Sequence, residues 1–153
     1  MIHLNIVIKM IFKKSKLPYN INNLILNYFQ FTPKNNNDLY QAVQNYPENK
    51  NINGFIELWD VSKITSMARL FIYKKNFNYD LSLWDVSNVI DMSDMFQNCE
   101  FKTDPKIKNW NVSKVKYMRN MFASSNFKYP ISNWDVSHVQ DMGFMFSMTD
   151  FNI

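Results

Sequence analysis

Glycine is nearly missing from this chain: 153 residues contain two. A glycine-rich phosphate loop is therefore excluded. Cysteine occurs once, as Cys99, which rules out an intramolecular disulfide and a cysteine-based metal cluster. A lone thiol inside a repeat reads as a small buried apolar residue. Histidine occurs twice, as His3 and His138, each without a local partner of catalytic type. No paired acid motif is present. The longest apolar stretch, near the N-terminus, falls well short of the roughly 20 residues a membrane span needs. These absences argue against an enzyme, a bound cofactor and a membrane-spanning segment.

Excess positive charge is also missing from most of the chain. The formal net charge is +4, and residues 1–51 account for it with six lysines and two acids. Residues 52–153 hold eleven basic and eleven acidic side chains. A nucleic-acid binder carries its basic excess on the folded binding face, so no nucleic-acid partner is expected.

Apolar side chains are plentiful, with 13 Phe, 8 Tyr, 4 Trp and 10 Met. Residues 1–16 open with "MIHLNIVIKMIF", whose alternation of Ile2, Leu4, Ile6, Ile8 and Met10 reads as a strand. The basic cluster Lys13, Lys14 and Lys16 follows this run, whereas a secretory signal places it first. A cytoplasmic location is thus favoured over secretion or surface display. Either Met1 or Met10 can serve as the start.

Residues 17–51 read as a helical cap. Pro18 suits a first turn, and Ile21, Leu24, Ile25 and Tyr28 form one apolar stripe. A second helix follows, capped by Asn36 or Asn37, with Leu39, Ala42, Val43 and Tyr46 on its apolar face.

Residues 52–153 repeat. Trp59, Trp84, Trp110 and Trp134 mark four copies, and each carries the same retinue. Three residues before stands an aliphatic: Ile56, Leu81, Ile107 or Ile131. Two after comes Val61, Val86, Val112 or Val136, and three after comes a serine. Eight after comes Met67, Met92, Met118 or Met142; twelve after comes Phe71, Phe96, Phe122 or Phe146. A unit of about 25 residues cannot bury its own apolar surface, so copies must cover one another. The recurring Trp, Met and Phe are then core. The fold expected is an α/β repeat solenoid of about four coils, the last incomplete, preceded by the helical cap. Each coil would carry a short parallel strand running up to Trp and a short helix at Met-x-x-Met-Phe. Asp60, Asp85, Asn111 and Asp135, one after each Trp, read as turn formers with the following Ser. Asn111-Val112-Ser113 is also a glycosylation sequon, expected to be largely buried and coincidental.

Two resemblances bear on function. "LWDVSNVIDMSDMFQNCEF" is similar to the consensus of BspA-type leucine-rich-repeat-like proteins across residues 52–153. That likeness implies a solenoid related to leucine-rich repeats, with no cofactor and no enzymatic activity; members include bacterial surface proteins regarded as adhesins. "LPYNINNLILNYF" resembles the opening of an F-box. This implies that Leu17, Pro18, Ile21, Leu24 and Ile25 would face a Skp-type ubiquitin-ligase adaptor; alternatively the helix packs on the end of the repeats.

The expected function is a non-enzymatic protein-interaction module, with a surface adhesin and an F-box-like adaptor as alternatives. The unshared residues before each Trp are the candidate partner-binding face: Glu57, Leu58, Ser82, Leu83, Lys108, Asn109, Ser132 and Asn133. Leu58 and Leu83 would form an exposed apolar pair. The unshared residues between the methionines are the second choice. An open fourth coil would also permit end-to-end self-association.

Overall fold

A computed structural model describes residues 31–46 and 53–151, all within the compact unit Phe31–Ile153. The strand expected in residues 1–16 and the helix over 17–29 lie outside the described residues.

Among the described residues, the helix α1 spans Asn36–Gln44. Its cap is Asn35, one residue earlier than expected, with Oδ1 accepting from the Asp38 N–H. Extended backbone at Asn35 turns its short amide back onto the first free N–H groups. Leu39, Ala42, Val43 and Tyr46 are buried, as their spacing required. A 3-10 turn follows at Ile56–Leu58.

The expected α/β repeat solenoid is not what this chain builds. Among the described residues there is no sheet, only isolated parallel bridges such as Ser66 with Asp91 and Tyr117 with Asp141, and no helix within the copies after Ile56–Leu58. Both errors have local causes. The segment read as a strand closes on itself: the N–H of Trp59 donates to Ile56, Trp84 to Leu81, Trp110 to Ile107 and Trp134 to Ile131. Each run up to Trp is therefore a four-residue turn, and in the Trp59 copy that turn is the 3-10 segment itself. The segment read as a helix is interrupted by left-handed residues. Arg69, Asp94, Asn120 and Phe144 have φ between 54° and 61°, and so do Tyr73, Asn98, Ser124 and Met148 four residues later. An L-residue there reverses the local chain twist and ends any α-helix.

What forms instead is a run of turns hydrogen-bonded from copy to copy. The N–H groups of Met92, Asp94, Phe96 and Asn98 donate to the carbonyls of Tyr117, Arg119, Met121 and Ala123, at 2.8–2.9 Å. The alternate N–H groups, Met95, Gln97 and Cys99, close turns within their own copy on Met92, Asp94 and Phe96. Met67, Arg69, Phe71 and Tyr73 donate onward in the same pattern, and so do Met118, Asn120, Phe122 and Ser124. Every second N–H thus points to the next copy, and in the second copy the remaining donor, Ser93 N–H, goes to Asp91 Oδ1, so each backbone donor from Met92 to Cys99 has an acceptor.

This register stacks like on like. Phe71, Phe96, Phe122 and Phe146 form a ladder of near-parallel rings with centroids 5.4–5.6 Å apart. Phe77, Phe101, Phe127 and Phe151 form a second ladder beside it, its first two contacts edge-on. Such ring pairs add about 0.5–1.5 kcal/mol each beyond their buried area.

Trp59, Trp84, Trp110 and Trp134 are buried, and so are Met67, Met92, Met118, Phe71, Phe96 and Phe122. Trp59, in the first copy, has no indole behind it; the edges of the Phe31 and Tyr46 rings cover it instead, with centroids 4.9 and 5.8 Å away. The fourth copy departs from its assigned core. Met142 is 43% exposed and Val136 39%, while Phe146 is only partly buried. Their counterparts Met118 and Val112 are at most 1% exposed because a further copy covers them.

The turn after each Trp is as read: Oδ1 of Asp60, Asp85, Asn111 and Asp135 accepts from the N–H of the serine two residues on. Asn111 is exposed, however, contrary to the burial expected for that sequon.

Candidate functional site

The turns ahead of the tryptophans are built from the indole outward. Each ring enters the core, and its one polar atom must find an acceptor there. Trp84 Nε1 donates to the Ile56 carbonyl at 2.8 Å, Trp110 Nε1 to Leu81 at 3.0 Å and Trp134 Nε1 to Ile107 at 3.0 Å. For these three the acceptor is the aliphatic residue that opens the preceding turn. Trp59 has no preceding copy, and its Nε1 donates to the Asn53 carbonyl, six residues back, at 2.8 Å. Every later turn is thereby tied to the one before it, and the two residues at its tip are turned outward.

Those tips hold the candidate row. Ser82, Lys108, Asn109, Ser132 and Asn133 are exposed, and Leu83 is 62% exposed. Asn133 Nδ2 donates to Asn109 Oδ1 at 3.1 Å, which continues the register on the outside. The first copy differs. Glu57 and Leu58 lie in the 3-10 turn and are half-buried, so Leu58 and Leu83 do not make the exposed apolar pair expected. Glu57 Oε2 is buried with no hydrogen-bond partner among the described residues. Beside the row, Lys106 Nζ pairs with Asp80 Oδ2 across two copies. Burial would raise the Asp80 carboxyl, but its bonds to Lys106 and Ser82 outweigh that and hold it below its ordinary value.

The second-choice positions carry more hydrogen bonding than expected. Asn120 Nδ2 donates to Asp94 Oδ1 at 3.0 Å, and Arg119 lies over the Phe144 ring at 5.0 Å. Among the described residues no group of three or more His, Cys, Asp or Glu is placed to hold a metal ion. Cys99 is buried, and burial pushes its thiol far up, away from a nucleophile's range. Leu17, Pro18, Ile21, Leu24 and Ile25 lie outside the described residues.

Two features had escaped the sequence reading. The indole–carbonyl bond is one. The other is the cover that α1 gives the first copy. In later copies the N–H groups of Ile90 and Asp91 donate to the carbonyl of Thr65 one copy back. Thr65 and Ser66 have no copy behind them, and their N–H groups go to Asn36 Oδ1 at 3.1 and 3.3 Å. Likewise the Met95 carbonyl accepts from Phe71 N–H, whereas the equivalent Leu70 carbonyl accepts from Gln44 Nε2 at 3.1 Å. The first and last residues of α1 thus replace the backbone of a missing preceding copy.

The family described as "Mycoplasma protein of unknown function, DUF285" matches residues 37–153. The chain belongs to this family. The match starts inside α1 and runs through all four copies, so a DUF285 unit here includes the covering helix as well as the turns. No curated protein and no solved structure matches the chain. Among the described residues no helix is long and apolar enough to cross a membrane.

Proposed function

We propose that this DUF285 chain is a non-enzymatic protein-interaction module that meets its partner through the turn tips ahead of the tryptophans. One observation carries the reading. The backbone of each tip is the same and, from the second copy on, is tied to the previous one by an indole, while the outward side chains differ from copy to copy. A rigid repeated frame with unshared exposed residues loses little order on binding and still offers a specific surface. Leu83 is the apolar anchor, with Lys108, Asn109, Ser132 and Asn133 as its polar continuation. Kinship with BspA-type proteins is part of the same reading, supported by the Trp-Asp-Val-Ser and Met-x-x-Met-Phe phrases. So is a cytoplasmic location, which fractionation of a tagged chain would check.

The test compares native protein with Leu83→Ser/Asn109→Ala, matched for melting temperature. A partner that co-purifies with the native chain and is lost from the variant is the expected result. Identical co-purifying proteins for both would refute the assignment of the row.

A further inference from the structure

Trp59 donates its indole N–H to a different kind of residue from the other three tryptophans. Trp84, Trp110 and Trp134 bond to the carbonyls of Ile56, Leu81 and Ile107, whose side chains carry no reactive group. The acceptor of Trp59 is the carbonyl of Asn53, and the next residue is Gly54. This is the only Asn-Gly pair in the sequence. Gly54 has φ of 66°, in the left-handed region where a side chain is strained, so the turn into the first copy calls for glycine there. The same glycine leaves the nitrogen beside Asn53 without steric cover. Asn53 and Gly54 are both half-buried, so water reaches them. Among the described residues the Asn53 side-chain amide has no hydrogen-bond partner and the Gly54 N–H has no acceptor.

We infer that Asn53–Gly54 is a self-modifying site whose reaction releases the Trp59 indole. The Gly54 nitrogen, on giving its proton to water, attacks Cγ of Asn53. A new N–Cγ bond closes a five-membered succinimide, the Cγ–Nδ2 bond breaks, and Nδ2 takes up a proton and leaves as ammonia. Water then opens the ring at one of its two carbonyl carbons. Attack at Cγ restores the ordinary chain with aspartate at position 53. Attack at the Asn53 backbone carbon breaks its bond to the Gly54 nitrogen and gives isoaspartate, whose main chain runs through Cβ and Cγ. Overall an amide and water become a carboxylate and ammonia, and nothing is oxidised or reduced. In the isoaspartate product the carbonyl that accepted from Trp59 has left the main chain, which is now one atom longer on the way to that ring. Trp59 has no preceding copy to bond to instead, so its N–H loses its acceptor. The three later indoles bond to aliphatic residues and keep theirs. Leu83 and Asn109 take no part, so the inference does not rest on the partner surface proposed above.

The test ages the folded native chain at mildly alkaline and mildly acidic pH, where the Gly54 N–H loses its proton more and less readily. Peptide mapping by mass spectrometry should find the mass gain of an amide becoming an acid on Asn53, faster in the alkaline sample. Fragmentation should show isoaspartate among the products. Hydrogen exchange of the indole N–H groups is then followed by NMR at one common pH. In the aged fraction Trp59 should exchange faster by about threefold to tenfold, the range for one lost hydrogen bond. Trp84, Trp110 and Trp134 should exchange as in fresh protein. Asn53→Gln keeps the backbone carbonyl and an amide but needs a slower six-membered ring. This variant should gain no mass over the same period and keep its Trp59 signal. Fresh Asn53→Asp carries the new charge on an ordinary main chain, and its Trp59 should exchange at the native rate. An aged native chain with Asn53 unaltered would overturn the inference. Modification with no change at Trp59 would do the same, as would equal acceleration at all four indoles or equal ageing of the Asn53→Gln variant. Fast Trp59 exchange in fresh Asn53→Asp would show that charge frees the indole without rerouting of the chain, and would contradict the mechanism.

Discussion

The indole N–H of Trp110 donates to the carbonyl of Leu81, 29 residues earlier, at 3.0 Å. That single bond joins the core, the turn and the register between copies. It explains why tryptophan, and no other large apolar residue, recurs at this place.

Replacing Trp110 separates the two contributions. Trp110→Phe keeps a ring but removes the donor, and should cost about 1–3 kcal/mol from a lost hydrogen bond and some lost volume. Trp110→Ala should cost about 3–5 kcal/mol through the cavity it leaves. Asn109→Ala, on the adjacent tip, should stay within about 0.5 kcal/mol. Urea unfolding of the three variants checks the order; equal losses for Asn109→Ala and Trp110→Ala would contradict the inside–outside assignment.

Cover of the first copy by α1 can be tested by charge. Gln44→Glu removes the donor to the Leu70 carbonyl and sets a carboxylate against it. This variant should lose about 1–3 kcal/mol, the range for a broken bond that leaves a repelled acceptor. Gln44→Ala should lose less, about 1 kcal/mol. Greater stability of the Glu variant than of the Ala variant would show that Gln44 does not act as a stand-in donor.

Left-handed backbone at Tyr73, with φ of 60°, makes its substitutions sign-specific. The side chain is largely exposed, so little packing is at stake. Tyr73→Asn should be neutral or stabilising, and Tyr73→Val should cost about 1–2 kcal/mol because a β-branched side chain resists this region. Thermal melts of the pair decide it; a more stable Val variant would contradict the turn.

Acid should destabilise the fold through the turn aspartates. The Ser87 hydroxyl and N–H hold the Asp85 carboxyl below its ordinary value, and Ser137 does the same for Asp135. Asp80 is also lowered, its bonds to Lys106 and Ser82 outweighing burial. Each group binds fewer protons folded than unfolded, so its contribution is complete above the ordinary carboxylate value and is lost as pH falls through the lowered one. The melting temperature should hold between about pH 7 and 5 and decline below about pH 4. Asp85→Asn with Asp135→Asn should flatten that decline while keeping the turns, as Asn111 does naturally in the third copy. A melting temperature that rises on acidification would contradict the sign.

Much of this molecule was legible in its letters, and the misreadings have identifiable physics. Tryptophan spacing located the copies, and burial at Val, Met and Phe followed for the three copies that have a neighbour in front. The Met-x-x-Met-Phe spacing fits a helix face, but it equally fits successive turns whose every third or fourth residue points inward. Asp94, Asn98 and Asn120 hinted at left-handed backbone, since Asn and Asp tolerate it. Arg69, Tyr73, Phe144 and Met148 at the same positions concealed that hint. Ser82, Asn109 and Asn133 ahead of the tryptophans were turn formers set in what looked like strand. The row of tips was legible as unshared residues, whereas the indole bond was not, because one letter denotes both the ring and its N–H. Nor did the letters separate Trp59 from the other three, although its indole bonds to Asn53 and not to a preceding copy. Asn36 and Gln44 were hidden for a related reason: a cap by side chains has no repeat to announce it.

Register between copies is the claim on which all of this depends, and through-hydrogen-bond scalar couplings measure it atom by atom. The account predicts correlations from the amide nitrogens of Met92, Asp94, Phe96 and Asn98 to the carbonyl carbons of Tyr117, Arg119, Met121 and Ala123. Couplings from these nitrogens to carbonyls four residues earlier, such as Phe96 to Met92, would instead reveal a helix in each copy and contradict it.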